Sequence, residues 1–319
     1  MPVLSRGKTV QPLSLPALES ADRTDPAESV PARWEAASRP RRALLRPLLE
    51  TCANPACGSG WLHLWRSRSA PRFEGGWSCS PGCTAAQVQA AVARELEGRG
   101  RTRQGHRHRV PLGLVMLEQG WISARQLRQA LDAQRAAGEG RLGHWLMCQQ
   151  GVSEQLVTRA LGLQWSCPVL ALEFLDAESI TALVPRLFVD AFGALPLRVA
   201  AGKLLYLGFE DRLDPVLALA IERMTGLRVE SGLVEGSTFR PAHARLLRAA
   251  FPPVELIEAA SEPAAVHTLA RAVERARPAD SRLVRVHDCL WLRMWRRART
   301  AALPEAARVR DLICSMGAH

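Results

Sequence analysis

A repeat with a period of thirty residues constrains this chain more than any other feature. The stretch "PLGLVMLEQGWISARQLRQALDAQ" (111–134) is followed closely by "RLGHWLMCQQGVSEQLVTRALGLQ" (141–164). Shifting one onto the other pairs Leu112 with Leu142, Gly113 with Gly143, Gln119 with Gln149, Ser123 with Ser153, Leu131 with Leu161 and Gln134 with Gln164. Conservative pairs fill the gaps: Met116 with Leu146, Ile122 with Val152, and Leu127 with Val157. Each unit reads as a short apolar helix that starts near Leu-Gly and is broken by Gly120 or Gly151. An amphipathic helix with Ser at its N-cap follows. In the first unit Ser123 and Gln126 form a Ser-x-x-Gln capping box. A solenoid needs at least about three repeats to bury a core, so two copies point instead to a pseudo-symmetric pair serving one site.

At 319 residues the chain has room for two or three compact domains, and 47% apolar content is enough for real cores. The net charge of +11 suggests a polyanion partner until the cations are inspected. Lys8 and Lys203 are the only lysines; the rest are Arg, spread along the chain. A solvated, Arg-rich surface accounts for that better than a dedicated nucleic-acid groove. The N-terminus is polar, without a secretion-signal pattern, and no apolar run reaches the length of a membrane span. A cytoplasmic location is the expectation.

In a reducing compartment the eight cysteines matter by clustering. "CANPAC" supplies Cys52 and Cys57, and "CSPGC" supplies Cys79 and Cys83. Asn54-Pro55 and Pro81-Gly82 are turn formers that fold each pair of thiols back on itself. Four thiolates presented this way suit tetrahedral Zn²⁺ as a structural ion that stabilises a region with little core of its own. Chelation is then expected to unfold mainly the N-terminal third. His63 is an alternative ligand, and four inert buried thiols are the alternative to a metal. Cys148, Cys167, Cys289 and Cys314 stand apart and read as small hydrophobes.

The expected architecture is an α+β multidomain chain: a small zinc-knuckle-like module, a tandem helical-hairpin repeat, then a small α+β domain. Residues 1–40 are rich in Pro, Ser, Ala and charge and read as a disordered tail. The four-Cys module spans 41–98 and includes an Ala-rich helix capped by Thr84. A basic, Gly-punctuated linker occupies 99–110 and carries His106 and His108. The duplicated unit fills 111–170. Over 171–252 the pattern turns α+β. A helical stretch interrupted by Pro185 leads to a hairpin in "LPLRVAAGKLLYLGFE", then a helix capped by Asp214-Pro215 and closed by Gly226. A strand "LRVESGLV" follows, and a helix after Ser237. Residues 253–319 form a C-terminal helix and strand extension in which Trp291 and Trp295 pack.

The duplicated block resembles the MshEN domain, the cyclic-di-GMP-binding N-terminal module of type II secretion and type IV pilus assembly ATPases. That family carries tandem motifs of the form RLG-x-x-L-x-x-x-G, then spaced Leu residues and a closing Gln. The sequel "FGALPLRVAAGKLLYLGFEDRLDPVLALAIERMTGLRVE" is similar to the family's following segment, so the likeness covers about residues 111–250. The resemblance implies a cyclic-di-GMP site with Arg141, Leu142, Gly143 and Gln164 in one half. Leu112, Gly113, Gly120 and Gln134 would form the other. An Arg can stack on guanine and bond phosphate, Gly permits close approach, and Leu supplies an apolar floor. The chain departs from the motif in two places: Pro111 stands where Arg is expected, and Gln150 replaces the second motif's Gly, which moves to Gly151.

No G-x-x-x-x-G-K-[ST] loop occurs: "RGKT" at residues 6–9 lacks the first Gly, and Lys203 in "GKLL" lacks the hydroxyl that would reach Mg²⁺. No Ser/His/Asp or Cys/His constellation emerges from the spacing, and His287-Asp288 reads as structural. The resulting expectation is a non-enzymatic cyclic-di-GMP sensor or adaptor, resembling the N-terminal domain of secretion ATPases without the motor, with a secretion or pilus machine as partner. Two alternatives stay open. One is a zinc-dependent nucleic-acid-binding protein that uses the linker from Arg99 to Arg109. The other is a docking adaptor that binds no ligand.

Overall fold

The computed structural model describes residues 51–58, 71–97, 109–172, 180–297 and 306–316. The stretch read as a tail, His63, His106, His108 and residues 99–108 of the basic linker lie outside the described residues.

Among its described residues the N-terminal module pairs a short hairpin with one long helix. A two-residue hairpin, β1 (Arg72–Phe73) and β2 (Gly76–Trp77), turns through Glu74 and Gly75, both at positive φ, 49° and 81°. Helix α1 (Pro81–Glu97) follows. It begins three residues before the cap expected at Thr84: Ser80 Oγ accepts from the Cys83 amide, and Thr84 lies buried in the first turn with its hydroxyl donating to Ser80 O. Pro81 at the helix start explains the shift, because its fixed φ suits a first helical turn and it has no N–H to satisfy.

The duplicated unit forms two helical hairpins. The first comprises α2 (Leu112–Glu118) and α3 (Ala124–Ala137), with the Ser123–Gln126 capping box fully formed; the second comprises α4 (Leu142–Gln150) and α5 (Glu154–Trp165), capped by Ser153. The burial pattern repeats residue for residue over Pro111–Gln119 and Arg141–Gln149. The displaced glycine is a local adjustment. Gly120 (φ 67°) and Gly151 (φ 63°) both adopt the left-handed conformation, and Trp121 and Val152 donate to the equivalent carbonyls of Met116 and Leu146. The second helix is simply longer. The hairpins interleave, α3 packing on α4 and α2 on α5, around Met116, Ile122, Ala130, Leu146, Val152, Val157 and Ala160.

Next, α6 (Arg186–Ala191) starts after Pro185, where the sequence placed its interruption. Strands β3 (Ala194–Ala200) and β4 (Leu204–Phe209) form the expected antiparallel hairpin. Helix α7 (Pro215–Thr225) is capped by Asp214 Oδ1, which accepts from Val216 and Leu217, and Gly226 ends it in the left-handed conformation. It leads to β5 (Arg228–Leu233), parallel to β4 in a three-stranded sheet of order β3-β4-β5. Helix α8 (Gly236–Leu247) closes this region.

The C-terminal region is a second sheet. Strand β6 (Val254–Ala259), helix α9 (Glu262–Ala276), and strands β7 (Asp280–Val286), β8 (Cys289–Trp295) and β9 (Val309–Met316) build the order β6-β9-β8-β7. Only the β6–β9 pair is parallel. Strict alternation along β8 covers both faces. Leu290, Leu292 and Met294 join Leu269 and Val273 of α9 and Val88 and Val92 of α1 in one core. Trp291 and Trp295 join Phe188, Leu195 and Ile221 in the other.

The N-terminal module is therefore seated on the C-terminal sheet. The Arg72 amide donates to Pro278 O, Glu74 to Ser281 O, and the Ser281 hydroxyl to Arg72 O, which lays β1 along β7. At the other end of α1 the buried carboxylate of Glu95 takes both terminal nitrogens of Arg223 from α7 and the amide of Arg285 from β7. Burial works against that charge, but the Arg223 guanidinium and the Arg285 amide outweigh it and hold the carboxyl below its usual range. Its contribution to stability is present above the ordinary carboxylate range and fades as pH falls through the lowered value.

Candidate functional site

Two constellations carry chemistry. The first is the cysteine centre. The knuckle around Cys52 and Cys57 is shaped by Asn54, whose Oδ1 accepts from the Ala56 amide while its carbonyl accepts from Cys57. Cys79 precedes α1, and Cys83 sits on its first turn. The four sulfurs lie within 4.8 Å of one another, with Cys57–Cys79 and Cys79–Cys83 each at 3.5 Å. A tetrahedral ion with metal–sulfur bonds of about 2.3 Å needs sulfurs roughly 3.8 Å apart, so the donor set and its spacing fit a single ion in a closed sulfur shell. Asn54 Nδ2 donates to Cys83 Sγ at 3.4 Å, an outer hydrogen bond that suits a thiolate. Burial pushes the Cys52 thiol up and that of Cys79 up to about 12. Burial also opposes a thiolate at Cys83, yet hydrogen bonds from Ser80, Asn54 and its neighbours bring it below its ordinary value. A cation here must displace protons. Cys148, Cys167, Cys289 and Cys314 stay outside the cluster, and burial raises the last three.

The second constellation is the duplicated unit, in which the eight motif residues fall into pseudo-symmetric roles. Gly113 and Gly143 are buried. A Cβ on Gly113 would come within 2.5 Å of Leu127 and 3.1 Å of Leu142; one on Gly143 would come within 2.8 Å of Val157 and 3.7 Å of Leu112. Each glycine thus admits the leucine that begins the other repeat. The glutamines cross over as well. Gln134 Nε2 donates to Gly140 O and Gln164 Nε2 to Val110 O, both at 2.7 Å, so each repeat's last residue fixes the chain two residues before a repeat's Leu. Gly120 is exposed in its turn, and Leu112 and Leu142 are half-buried.

Arg141 is the charged member of the motif. It sits in an extended conformation at the N-cap of α4, its side chain 73% exposed, with Nη1 paired to Asp211 Oδ2. At the equivalent place Pro111 caps α2 with φ −55° and ψ 140°. Asp211 lies in the β4–α7 loop and was not singled out by the sequence; an Asp in "FEDRLDP" reads as loop solvation. Also outside the sequence reading is an open groove of 580 Å³ beside the first repeat's turn, lined by Gln119, Trp121, Arg159, Leu163 and Cys167. The Arg159 guanidinium lies 5.2 Å from the Trp121 ring centroid. His287 pairs with Asp214, not with Asp288: its Nε2 is 2.7 Å from the Asp214 oxygen that does not cap α7, which gives the residue an orienting role.

No family model matches the chain. Over 129 residues it is 34% identical to Bacteriophage adsorption protein B of Escherichia coli (strain K12) and, equally, to Bacteriophage N4 adsorption protein B of Escherichia coli O157:H7. That stretch is 39% of this chain and 16% of either relative, so the chain spans about one sixth of the length of the curated proteins it matches. Among solved structures, MshE with cdg is similar over 43% of this chain and 99% of its own, at 26% identity and a TM-score of 0.36. The N-terminal domain of XpsE is similar over 44% and 93%, at 18% identity and a TM-score of 0.27. Scores of this size do not by themselves define a common fold. Among the described residues no helix is long and apolar enough to cross a membrane.

Proposed function

We propose that this protein is a non-catalytic sensor or adaptor that responds to cyclic-di-GMP through its duplicated helical unit, with a structural Zn²⁺ in the four-cysteine centre. It would act in the cytoplasm, where thiols stay reduced, and dock on a secretion or pilus machine. The observation that carries the reading is Arg141, which presents an exposed guanidinium at a helix start and already holds an anion, the Asp211 carboxylate. A phosphate diester offers the same charge-assisted contact. The two-fold relation of the repeats matches a ligand that is itself two-fold. Because the chain lacks a phosphate-cradling loop, its ATP turnover is expected to equal that of buffer. Hydrolysis that follows point mutations in this protein would overturn that expectation.

Titration calorimetry tests the ligand. Arg141→Ala should lose a contact worth about 1.5–3 kcal/mol, roughly tenfold or more in affinity. Pro111→Arg should strengthen binding by supplying the second guanidinium. Equal binding by wild type and Arg141→Ala would misplace the site. A second reading is favoured by Gly113, Gly143, Gln134 and Gln164, all of which the fold itself engages. On that reading the unit is a docking scaffold, and neither wild type nor Pro111→Arg binds.

A further inference from the structure

Arg141 reaches its partner across a boundary between regions. Asp211 follows β4 in the loop that ends at Asp214, the cap of α7, whereas Arg141 belongs to the second repeat. The surrounding surface is acidic and tightly paired. Glu210 accepts from Arg240 Nε and Nη2 at 2.9 and 2.6 Å, and Glu154 at the start of α5 accepts from the Ser237 amide at 3.1 Å. The Glu154 contact fastens the repeat to the start of α8, and the Glu210–Arg240 pair ties the end of β4 to the same helix. With Pro111 in the first repeat, Arg141 supplies the cation at the motif's leading position, and a carboxylate already occupies it.

We propose that Asp211 is an internal competitor for the phosphate of the ligand: it holds Arg141 in the free protein and sets the ligand concentration at which that contact is exchanged. The inference rests on the cyclic-di-GMP reading of the repeat. Two properties suit Asp211 to the task. The pair is exposed, with 73% and 44% of the two side chains accessible, so water and salt weaken it and a dianionic ligand can displace it. And Asp211 cannot share Arg141 with a phosphate without placing like charges side by side, so binding drives the β4–α7 loop away from the repeat. Ligand occupancy is thereby reported at the joint between the two regions.

The test is calorimetry with cyclic-di-GMP on wild type, Asp211→Asn and Glu210→Gln, the last removing the same charge one residue away. Asp211→Asn is expected to bind roughly three- to tenfold tighter, the scale of an exposed ion pair plus a removed like charge, while Glu210→Gln changes affinity by less than about twofold. If Asp211→Asn binds no tighter than wild type, or Glu210→Gln tightens binding equally, the competitor role is wrong and the ligand reading stands. If neither wild type nor Asp211→Asn binds, the ligand reading fails and takes this inference with it.

Discussion

Removing metal from the four-cysteine centre is expected to loosen the C-terminal sheet together with the N-terminal knuckle. The sequence alone suggests damage mainly in the N-terminal third, because the cysteines lie there. Among the described residues the knuckle's own core is the small cluster of Trp77, Cys79 and Cys83, whereas Phe73, Val88 and Val92 complete a core shared with Leu269, Leu283 and Leu292. The hairpin that follows the knuckle also covers the outer edge of β7. Structural zinc contributes about 10–16 kcal/mol of apparent binding free energy in small peptides near pH 7, so several kcal/mol of stability are expected to depend on the ion here. Protein prepared without chelator should hold about one metal ion per chain, and Cys79→Ser or Cys83→Ser should lose it. Cys148→Ser and Cys167→Ser should retain it. Metal analysis, with hydrogen exchange of the β7 amides before and after chelation, reads both effects. Far less than one equivalent of metal, or β7 protection indifferent to its removal, would refute the account.

Arg293→Ala is expected to cost about 3–5 kcal/mol of folding stability, the usual penalty for leaving one half of a buried ion pair alone. Arg293 and Asp311 are directly opposed on β8 and β9, and both are 0% exposed. Nε and Nη2 of the arginine meet the two carboxylate oxygens at 2.7 Å each, and Nη1 donates to Ala182 O and Leu183 O at 2.7 and 2.9 Å. Trp291 Nε1 adds a third donor to Asp311 at 2.8 Å. Each of the three guanidinium nitrogens has a partner, and the pair fastens the second sheet to the segment leading into α6. Truncating Arg293 would strand a buried carboxylate and two carbonyls. The double change Arg293→Met with Asp311→Leu should recover part of the loss, since it removes both charges but still leaves the carbonyls of Ala182 and Leu183 and the Trp291 Nε1–H unanswered. Denaturant unfolding of the single and double variants measures this. A loss below about 1 kcal/mol for Arg293→Ala would show that water or a rearranged neighbour replaces the guanidinium.

What the sequence disclosed was local. Ser123-x-x-Gln126, Asp214-Pro215 and Gly226 act within one helical turn, and they appear in the structure where their chemistry puts them. The cysteine pairs were legible because turn formers surround them, though geometry was needed to bring 52 and 57 against 79 and 83. Contacts that span the chain left no such trace. Glu95 sits in "ARELEGRG", which reads as a solvated helix end, and its partners Arg223 and Arg285 lie 128 and 190 residues away. Arg293, in the Arg-rich "LRMWRR", resembles its exposed neighbours until the alternation of β8 turns it inward. Asp211 was silent for the same reason: only the fold makes it a neighbour of Arg141.

The crossed leucines and glutamines of the repeat have one further implication. Gly113 receives Leu142 while Gly143 receives Leu112, and Gln134 and Gln164 exchange ends in the same sense. The same reciprocity marks the isologous interface of a C2 homodimer, here formed within one chain whose halves are joined by a tether from Gly138 to Gly140. The tether turns what would be a concentration-dependent association into an intramolecular one, so the closed pair persists however dilute the protein becomes. The two halves, freed from having to be identical in order to meet, can then drift apart in chemistry while the interface that joins them is kept. Pro111 at the position equivalent to Arg141 is such a divergence.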